Sequence, residues 1–293
     1  FFLLLIFGIS AVCALYGGRY LAAWDGKKGT GASWLFFNLL VASMAMVCLA
    51  RNALLFLIAW EAMSLSSYFL VMFESERPEV RKAGWTYMVA TQLGTVCLLA
   101  LFVLMAGPSG SLEFADYRGF AGSGAATLGV AFLLALAGFG TKAGLMPMHI
   151  WLPEAHPAAP SHVSALMSGM MIKTGIYGLL RTLSFLGAPA PWWGWLLIGI
   201  GLVSGILGVL FALAQHDLKR LLAYHSVENI GIIALGLGLG VLGAAVDAPA
   251  LAVLGIAGGL LHVINHALFK GLLFLGAGAV LHATGTREID RLG

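Results

Sequence analysis

Long apolar stretches alternate with short polar connections along almost the whole chain. A helix needs about 20 apolar residues to cross a bilayer, and nine stretches meet that length. Lipid-exposed backbone must satisfy its own hydrogen bonds, and no stretch shows the apolar–polar alternation of a barrel strand. The pattern therefore predicts an all-α polytopic membrane protein with about nine spans, at 1–18, 33–50, 53–73, 84–106, 126–146, 161–185, 192–214, 221–244 and 250–281.

The composition agrees with this pattern. Of the 293 residues, 60% are hydrophobic and 10% are charged, and the mean hydropathy is +0.94; a soluble domain carries about 25% charged residues. The net charge of +3 is small and comes from connections, so nothing favours a nucleic-acid partner. Cys13, Cys48 and Cys97 lie in apolar runs without a CxxC pair, and we expect buried thiols. The chain begins at Phe1 without a signal-peptide pattern, and we interpret it as part of a longer polypeptide.

The basic residues of the connections divide unequally between the two sides of the predicted bundle. Ten lie on one side and three on the other, and the richer side is predicted to be cytoplasmic. The chain would then start outside and end inside. The ten are Arg19, Lys27, Lys28, Arg77, Arg81, Lys82, Lys219, Arg220, Arg287 and Arg291, and the three are Arg51, Arg118 and Arg181.

Three lysines, Lys142, Lys173 and Lys270, and the carboxylate Glu61 fall well inside predicted spans. A charge at membrane depth costs at least ~2.5–3.5 kcal/mol on insertion scales. Such residues persist where they pair, face water or serve an ion path. The competing interpretation is a lysine whose head reaches the membrane interface. We favour a functional role, because Glu61 and Lys142 lie well inside their runs.

The stretch "GFGTKAGLMPMHIWLPEAH" is rich in glycine and proline around Lys142. Gly144, Pro147 and Pro153 predict an interruption of the helix there. Broken membrane helices expose carbonyl groups and mark ion paths in transporters. The alternative is a helix that ends normally at Pro147, followed by a re-entrant loop.

The last span places His262, His266 and Lys270 at steps of four, on one helix face. Two histidines beside a lysine suit a proton relay, since histidine titrates near neutrality. Structural histidines and a metal pair are the alternatives. The sequence offers no third ligand, so we expect no metal here. No motif for a cofactor is present either, and we expect none in this chain.

Other histidines give weaker signals. His149 and His156 flank Glu154 in "HIWLPEAH", and together with His162 they suit a channel mouth or a loop clamp. His225 and Glu228 lie one turn inside the predicted cytoplasmic end of their span. That position suits proton uptake and equally an ordinary first turn.

Three longer stretches carry a family resemblance: "PAAPSHVSALMSGMMIKTGIYG", "QHDLKRLLAYHSVENIGII" and "HALFKGLLFLGAGAV". They resemble the antiporter-like subunits of complex I and its relatives, and look most similar to the large membrane subunit of hydrogenase-4 and formate hydrogenlyase. The resemblance implies a roughly fourteen-helix inverted-repeat fold, of which the nine spans form part. It divides the chain into an N-terminal helix and loop at 1–30, a first repeat at 31–185 and part of a second at 186–293.

The resemblance also implies roles for the buried charges. Glu61 would pair with Lys142, Lys173 would pass the proton toward the centre, and His262, His266 and Lys270 would continue the path. The implied partners are other membrane subunits, the lipid bilayer and a hydrophilic redox arm, in the inner membrane of a prokaryote. A component of a multi-subunit sodium/proton antiporter and a structural membrane anchor remain as alternatives.

Overall fold

The computed structural model describes residues 1–24, 26 and 28–292. Nine of its helices, or pairs of joined helices, are long and apolar enough to cross a membrane within these residues, which confirms the predicted spans. The helices are α1 (Phe2–Ala22), α2 (Thr30–Leu49), α3 (Ala53–Val71), α4 (Pro78–Ala106), α5 (Ala125–Ala143), α6 (Leu152–Ala158), α7 (Ser161–Leu166), α8 (Ile172–Leu183), α9 (Pro191–Leu213), α10 (Leu218–Ala245) and α11 (Pro249–Thr284). A π-helical turn, Met167–Met171, joins α7 to α8.

Three helices differ from their predicted spans, two at one boundary and one in its length. Helix α4 begins at Pro78 instead of residue 84, because proline suits the first position of a helix. Helix α5 ends at Ala143 instead of residue 146, since Gly144 adopts a left-handed conformation with φ 84° and ends the helix. Helix α11 runs unbroken for 36 residues, or about 54 Å. It must therefore tilt or extend beyond the hydrocarbon core.

The two ends of the bundle differ as the charge pattern predicted. We call the end at which α4 and α10 begin the basic end. Lys28 pairs there with Glu76 at 2.5 Å, and Arg287 pairs with Asp217 at 3.3 Å. Lys27, one of the ten predicted cations of this side, lies outside the described residues.

Lys219 corrects the charge assignment. The charge pattern predicts Lys219 to be a loop cation. It lies instead in the first turn of α10, with only 1% of its surface exposed. Its Nζ turns inward and donates to the carbonyl of Ala159 at 2.7 Å. The position of Lys219 at the start of a helix gave no indication that its side chain would point into the bundle.

Glycines bring α9, α10 and α11 into backbone contact. A Cβ at Gly201 of α9 would lie 2.8 Å from the Gly231 carbonyl of α10, and a Cβ at Gly255 of α11 would lie 2.4 Å from the Gly240 nitrogen of α10. Small residues allow this close approach in membrane bundles. Helix α10, which carries Ser226, Glu228 and Asn229, is consequently held from both sides.

Candidate functional site

Lys142 is the second-last residue of α5 and is 2% exposed. Its Nζ donates to Ser64 Oγ at 2.8 Å and to Tyr87 Oη at 3.3 Å. The ammonium also lies 5.6 Å from the ring centroid of Trp60 and 5.5 Å from that of Tyr87. Neutral oxygens and aromatic faces thus surround the cation, both of which attract positive charge.

Glu61 lies beside this site but does not bind Lys142. Its carboxylate accepts hydrogen bonds from Thr95 Oγ1 at 2.6 Å and from Gln92 Nε2 at 2.9 Å. Among the described residues it forms no ion pair. Ser64 follows Glu61 by three positions on α3, so the lysine contacts the next turn of the same face. The structure presents the separated arrangement of the Glu61–Lys142 pair, and its closure stays a prediction.

The interruption after Lys142 is a broken helix rather than a helix that ends at Pro147. Helix α5 stops four residues before that proline, and the short helix α6 resumes at Leu152. Two hydrogen bonds hold the intervening segment: Ser204 Oγ accepts from the backbone nitrogen of Met146 at 3.0 Å, and Trp151 Nε1 donates to the Thr141 carbonyl at 2.8 Å.

Lys173 lies fully buried just beyond the π-helical turn. Its Nζ donates to the backbone carbonyl of Ser168, inside that turn. Wide turns of this kind occur frequently at functional sites. No hydrogen bond joins Lys173 to the Lys142 site within the described residues; two sulfur contacts bridge the neighbourhoods, Thr174 Oγ1 to Met63 Sδ at 3.5 Å and Tyr87 Oη to Met171 Sδ at 3.8 Å.

Polar contacts that share two backbone carbonyls lead from Lys173 to Lys270: Lys173 contacts the Ser168 carbonyl, and Lys270 and Ser226 both donate to the Leu222 carbonyl. Ser168 Oγ meets Ser226 Oγ of α10 at 2.8 Å, and Ser226 Oγ donates to the Leu222 carbonyl at 2.9 Å. Lys270 Nζ of α11 donates to the same carbonyl at 2.9 Å. Lys173, Ser168, Ser226, Leu222 and Lys270 form what we call the central axis.

The two histidines of α11 form no hydrogen bond to these lysines among the described residues, so their place in the path stays a prediction. Their rings are nearly parallel, with centroids 6.3 Å apart. His266 is fully buried, and neither ring nitrogen has a partner within the described residues. His262 Nε2 contacts Asn229 Oδ1 at 2.9 Å, and Asn229 Nδ2 donates to the His225 carbonyl at 2.7 Å.

His225 and Glu228 form a pair on α10, with 2.5 Å between Nδ1 and Oε2. The pair is partly exposed and joins His262 through Asn229. We call His225, Glu228, Asn229 and His262 the side branch. The described residues contain no group of three histidine, cysteine or acidic side chains that could hold a metal.

The proposed mouth around "HIWLPEAH" is wrong for two of its histidines. His156 is fully buried, and its ring stacks on Phe274 with centroids 4.8 Å apart. His162 is buried among Tyr20, Trp34 and Phe37. Only His149 lies in the connecting segment, near Tyr224. The apolar rings of neighbouring helices draw His156 and His162 inward, and no spacing rule indicated this.

Sequence reasoning also missed the neutral partners of the buried charges. Tyr87, Gln92 and Thr95 of α4 contact residues of α3 and α5 that lie tens of positions away in the chain. One signal was available: Ser64 and Ser67 follow Glu61 at steps of three, on one face of α3. Hydroxyls that line up with an intramembrane carboxylate are candidates for its polar path.

Fold and site together define a polytopic membrane protein with several ionisable groups at membrane depth. Comparison with known protein families identifies the class of protein. Residues 50–293 match the family described as "NADH:quinone oxidoreductase/Mrp antiporter, TM". The chain belongs to this family, as its sequence resemblance indicated.

Comparison with individual relatives adds detail to the family assignment. The chain is 46% identical over 297 residues to Hydrogenase-4 component B of Escherichia coli, covering 100% of this chain and 44% of the relative. It is 40% identical over 286 residues to Formate hydrogenlyase subunit 3 of the same organism, covering 96% and 45%. The chain thus spans less than half the length of these relatives.

Solved structures share the fold. A chain of the Mrp complex from Dietzia sp. superposes with a TM-score of 0.84 at 33% identity, over 98% of this chain and 30% of that one. A chain of an archaeal membrane-bound sulfane sulfur reductase gives 0.79 at 30% identity, over 96% and 45%. The first of these chains belongs to a complex, and the second to an archaeal respiratory membrane complex.

Proposed function

We propose that this chain forms the core of a proton-translocating membrane subunit in a membrane-bound hydrogenase or complex I-like oxidoreductase. The observation that carries the proposal is the central axis, in which two lysines buried at membrane depth lie on either side of two hydroxyl groups that bond to each other. Its partners would be further membrane subunits and a hydrophilic redox arm, in the inner membrane of a prokaryote. The chain itself would hold no cofactor.

The chemistry of the site suits proton transfer. A lysine is able to hold or release one proton, and a nearby carboxylate favours the protonated form. Movement of Glu61 toward Lys142 would therefore promote proton binding, and movement away would promote release. Electron transfer in partner subunits would supply the free energy for this movement.

The onward path would use hydroxyl groups. Lys142 would pass its proton to Lys173, across a gap that a water molecule or a side-chain rotation must bridge. The hydroxyls of Ser168 and Ser226 are each able to accept one proton while giving another. Water or a side-chain rotation would have to link Lys173 to the Ser168 hydroxyl and the Ser226 hydroxyl to Lys270, because backbone carbonyls occupy those two positions. The side branch would offer a second route toward Glu228.

The experiment that tests this function uses inverted membrane vesicles that contain the full-length protein in its native complex. Proton uptake is measured on addition of an electron donor, with electron transfer recorded in parallel. Uptake that depends on the donor and stops with an uncoupler is the expected result. Electron transfer without proton uptake by the intact complex would contradict the proposal.

A component of a sodium/proton antiporter is the second candidate, and two observations favour it. The chain superposes closely on a chain of an Mrp complex, and it is 36% identical to a Na(+)/H(+) antiporter protein of Alkalihalophilus pseudofirmus. In the same vesicles, this function would give sodium-dependent proton exchange without any electron donor.

Ser226→Ala tests the central axis within the proposed function. The substitution removes the only side-chain oxygen that the axis has on α10, and the cavity it leaves is small. We expect donor-driven proton uptake to fall about fivefold, since one hydrogen bond contributes roughly 1 kcal/mol, while electron transfer persists. The measurement is the initial uptake rate per assembled complex.

Ser43→Ala is the matched control for this variant. Ser43 is also buried, but its hydroxyl donates only to the Leu40 carbonyl of its own helix. Uptake should stay at the wild-type rate. Equal uptake by the Ser226 and Ser43 variants would remove Ser226 from the path.

A further inference from the structure

Helix α6 has an unusual shortage of internal hydrogen bonds. It has seven residues, and Pro153, His156 and Pro157 are among them. Proline lacks an N–H group, so Pro157 leaves the Pro153 carbonyl, four residues earlier, without a helical donor. The last carbonyls of any helix also lack partners. This short helix therefore depends on donors from elsewhere.

Three basic side chains from the second half of the chain supply those donors. Arg220 Nε donates to the Pro153 carbonyl at 3.4 Å, Arg287 Nη1 to the Pro157 carbonyl at 2.6 Å, and Lys219 Nζ to the Ala159 carbonyl at 2.7 Å. Arg220 also forms an ion pair with Glu154. We call Lys219, Arg220 and Arg287 the α6 clamp.

The clamp residues are tied to one another. The Leu218 nitrogen donates to the Arg287 carbonyl at 3.0 Å, and the Ile289 nitrogen to the His216 carbonyl at 2.8 Å. Asp217 accepts from the Arg220 nitrogen and pairs with the Arg287 side chain. The first turn of α10 and the segment after α11 consequently move as one unit.

The first turn of α10 also reaches the central axis. The Leu222 carbonyl, which accepts from Lys270, follows Arg220 by only two residues. A displacement of this turn therefore changes the acceptor geometry of Lys270. Two clamp residues, Lys219 and Arg220, and the Leu222 carbonyl that Lys270 contacts therefore lie on the same short stretch of backbone.

On its other side, α6 leads directly to the Lys142 site. Trp151 precedes the helix, donates to the Thr141 carbonyl and packs on Tyr87, with ring centroids 4.9 Å apart. Tyr87 in turn accepts from Lys142. Non-helical residues separate α6 from α5, and Trp151 lies between α6 and the Lys142 site.

We propose that the first turn of α10 couples the Lys142 site to the Lys270 site, and that Arg220 and Arg287 act on α6 as its positioning residues. The proposal rests on the function proposed above and adds a link between the two lysines that carries no proton. Such coupling is reciprocal in free energy, so each site influences the other equally. An element with two positions, here α6, is the physical requirement.

Arg220→Gln and Glu154→Gln test the link in the full-length protein within its native complex. We expect complex assembly and electron transfer to persist while protons taken up per electron fall about fivefold or more, a typical size for coupling between sites. The double variant Glu154→Arg with Arg220→Glu restores the ion pair in reverse and should recover part of the loss. If the complex that contains Arg220→Gln does not assemble, the Glu154→Gln variant tests the link by itself.

Arg81→Gln is the control for a cation at the same end. Arg81 donates only to the carbonyls of Ser75 and Glu76, in the connection before α4. Its loss should leave the ratio of protons to electrons unchanged. A normal ratio in the Arg220 and Glu154 variants would overturn the link and leave the proposed function standing.

A labelling measurement tests the link without proton uptake. Cysteine is introduced by Ala158→Cys, and its reaction rate with a water-soluble maleimide is followed above the background of the native cysteines. We expect Arg220→Gln and, through the shared turn, Lys270→Gln each to change this rate about fivefold or more. An unchanged rate in both would overturn the proposal even if wild-type vesicles take up no protons.

Discussion

Lys142→Ala should reduce donor-driven proton uptake about tenfold or more while the complex still assembles and transfers electrons. A positioned group that carries the proton contributes factors of this size or larger. The alanine cannot hold a proton, whereas Ser64 keeps its hydrogen bond to the Trp60 carbonyl and Tyr87 keeps its contact with Ser67. The measurement compares uptake per electron in inverted vesicles that contain the full-length protein.

Lys28→Ala is the control for this experiment, because it removes a lysine at the basic end of the bundle. Lys28 pairs with the exposed carboxylate of Glu76 and lies over Trp24 and Phe73. Its hydrogen bond lowers the pKa of the Glu76 carboxyl. Exposed pairs contribute little, so uptake should remain near the wild-type rate.

Normal uptake by Lys142→Ala at normal yield would contradict the proposed role. Lys142 would then be a structural cation, held by Ser64, Tyr87 and two aromatic rings. If the variant lost both assembly and proton uptake, a structural membrane anchor would be favoured instead. Recording assembly, electron transfer and uptake on the same vesicles separates these results.

Gly201→Val should destabilise the bundle by about 3 kcal/mol or more, at the upper end of the range for overpacking. A Cβ at Gly201 would lie 2.8 Å from both the Gly231 carbonyl and the Leu235 nitrogen of α10. Backbone atoms cannot rotate away, so α9 and α10 must separate. Thermal unfolding of the purified protein in detergent, followed by circular dichroism, measures the effect.

Gly199→Val is a matched control on the same helix. A Cβ at Gly199 would meet no atom within 4 Å, so the larger side chain should extend into lipid. We expect a change in stability below about 1 kcal/mol, within the range of helix propensities. Equal destabilisation by the two variants would show that α9 and α10 do not pack as closely as described.

The spans and the buried charges were predictable from sequence. Lipid requires long apolar helices, so each crossing leaves a run of some 20 residues that a reader can count. A lysine such as Lys173 inside such a run is conspicuous for the same reason. The break after Lys142 was signalled locally as well, by Gly144 and Pro147.

The contacts of those charges were not predictable. The partners of Lys142 lie 78 and 55 positions away in the chain, and the hydroxyl that meets Ser168 lies 58 positions away. Serine, threonine and tyrosine in membrane helices usually bond their own backbone, so their presence does not identify a path. The contact between Ser168 and Ser226 required tertiary packing, since the two residues belong to different helical segments.

The sequence by itself determined the number of crossings, the basic end and the three lysines and Glu61 at membrane depth, because hydrophobic length, charge and helix-breaking residues act locally. Tertiary structure decided that Lys142 binds Ser64 and Tyr87 instead of Glu61, that Lys219 and His156 point inward, and that α10 connects α6 with Lys270. These outcomes depend on which helix faces meet. Glycine contacts and long-range hydrogen bonds fix those faces, and no local pattern encodes them.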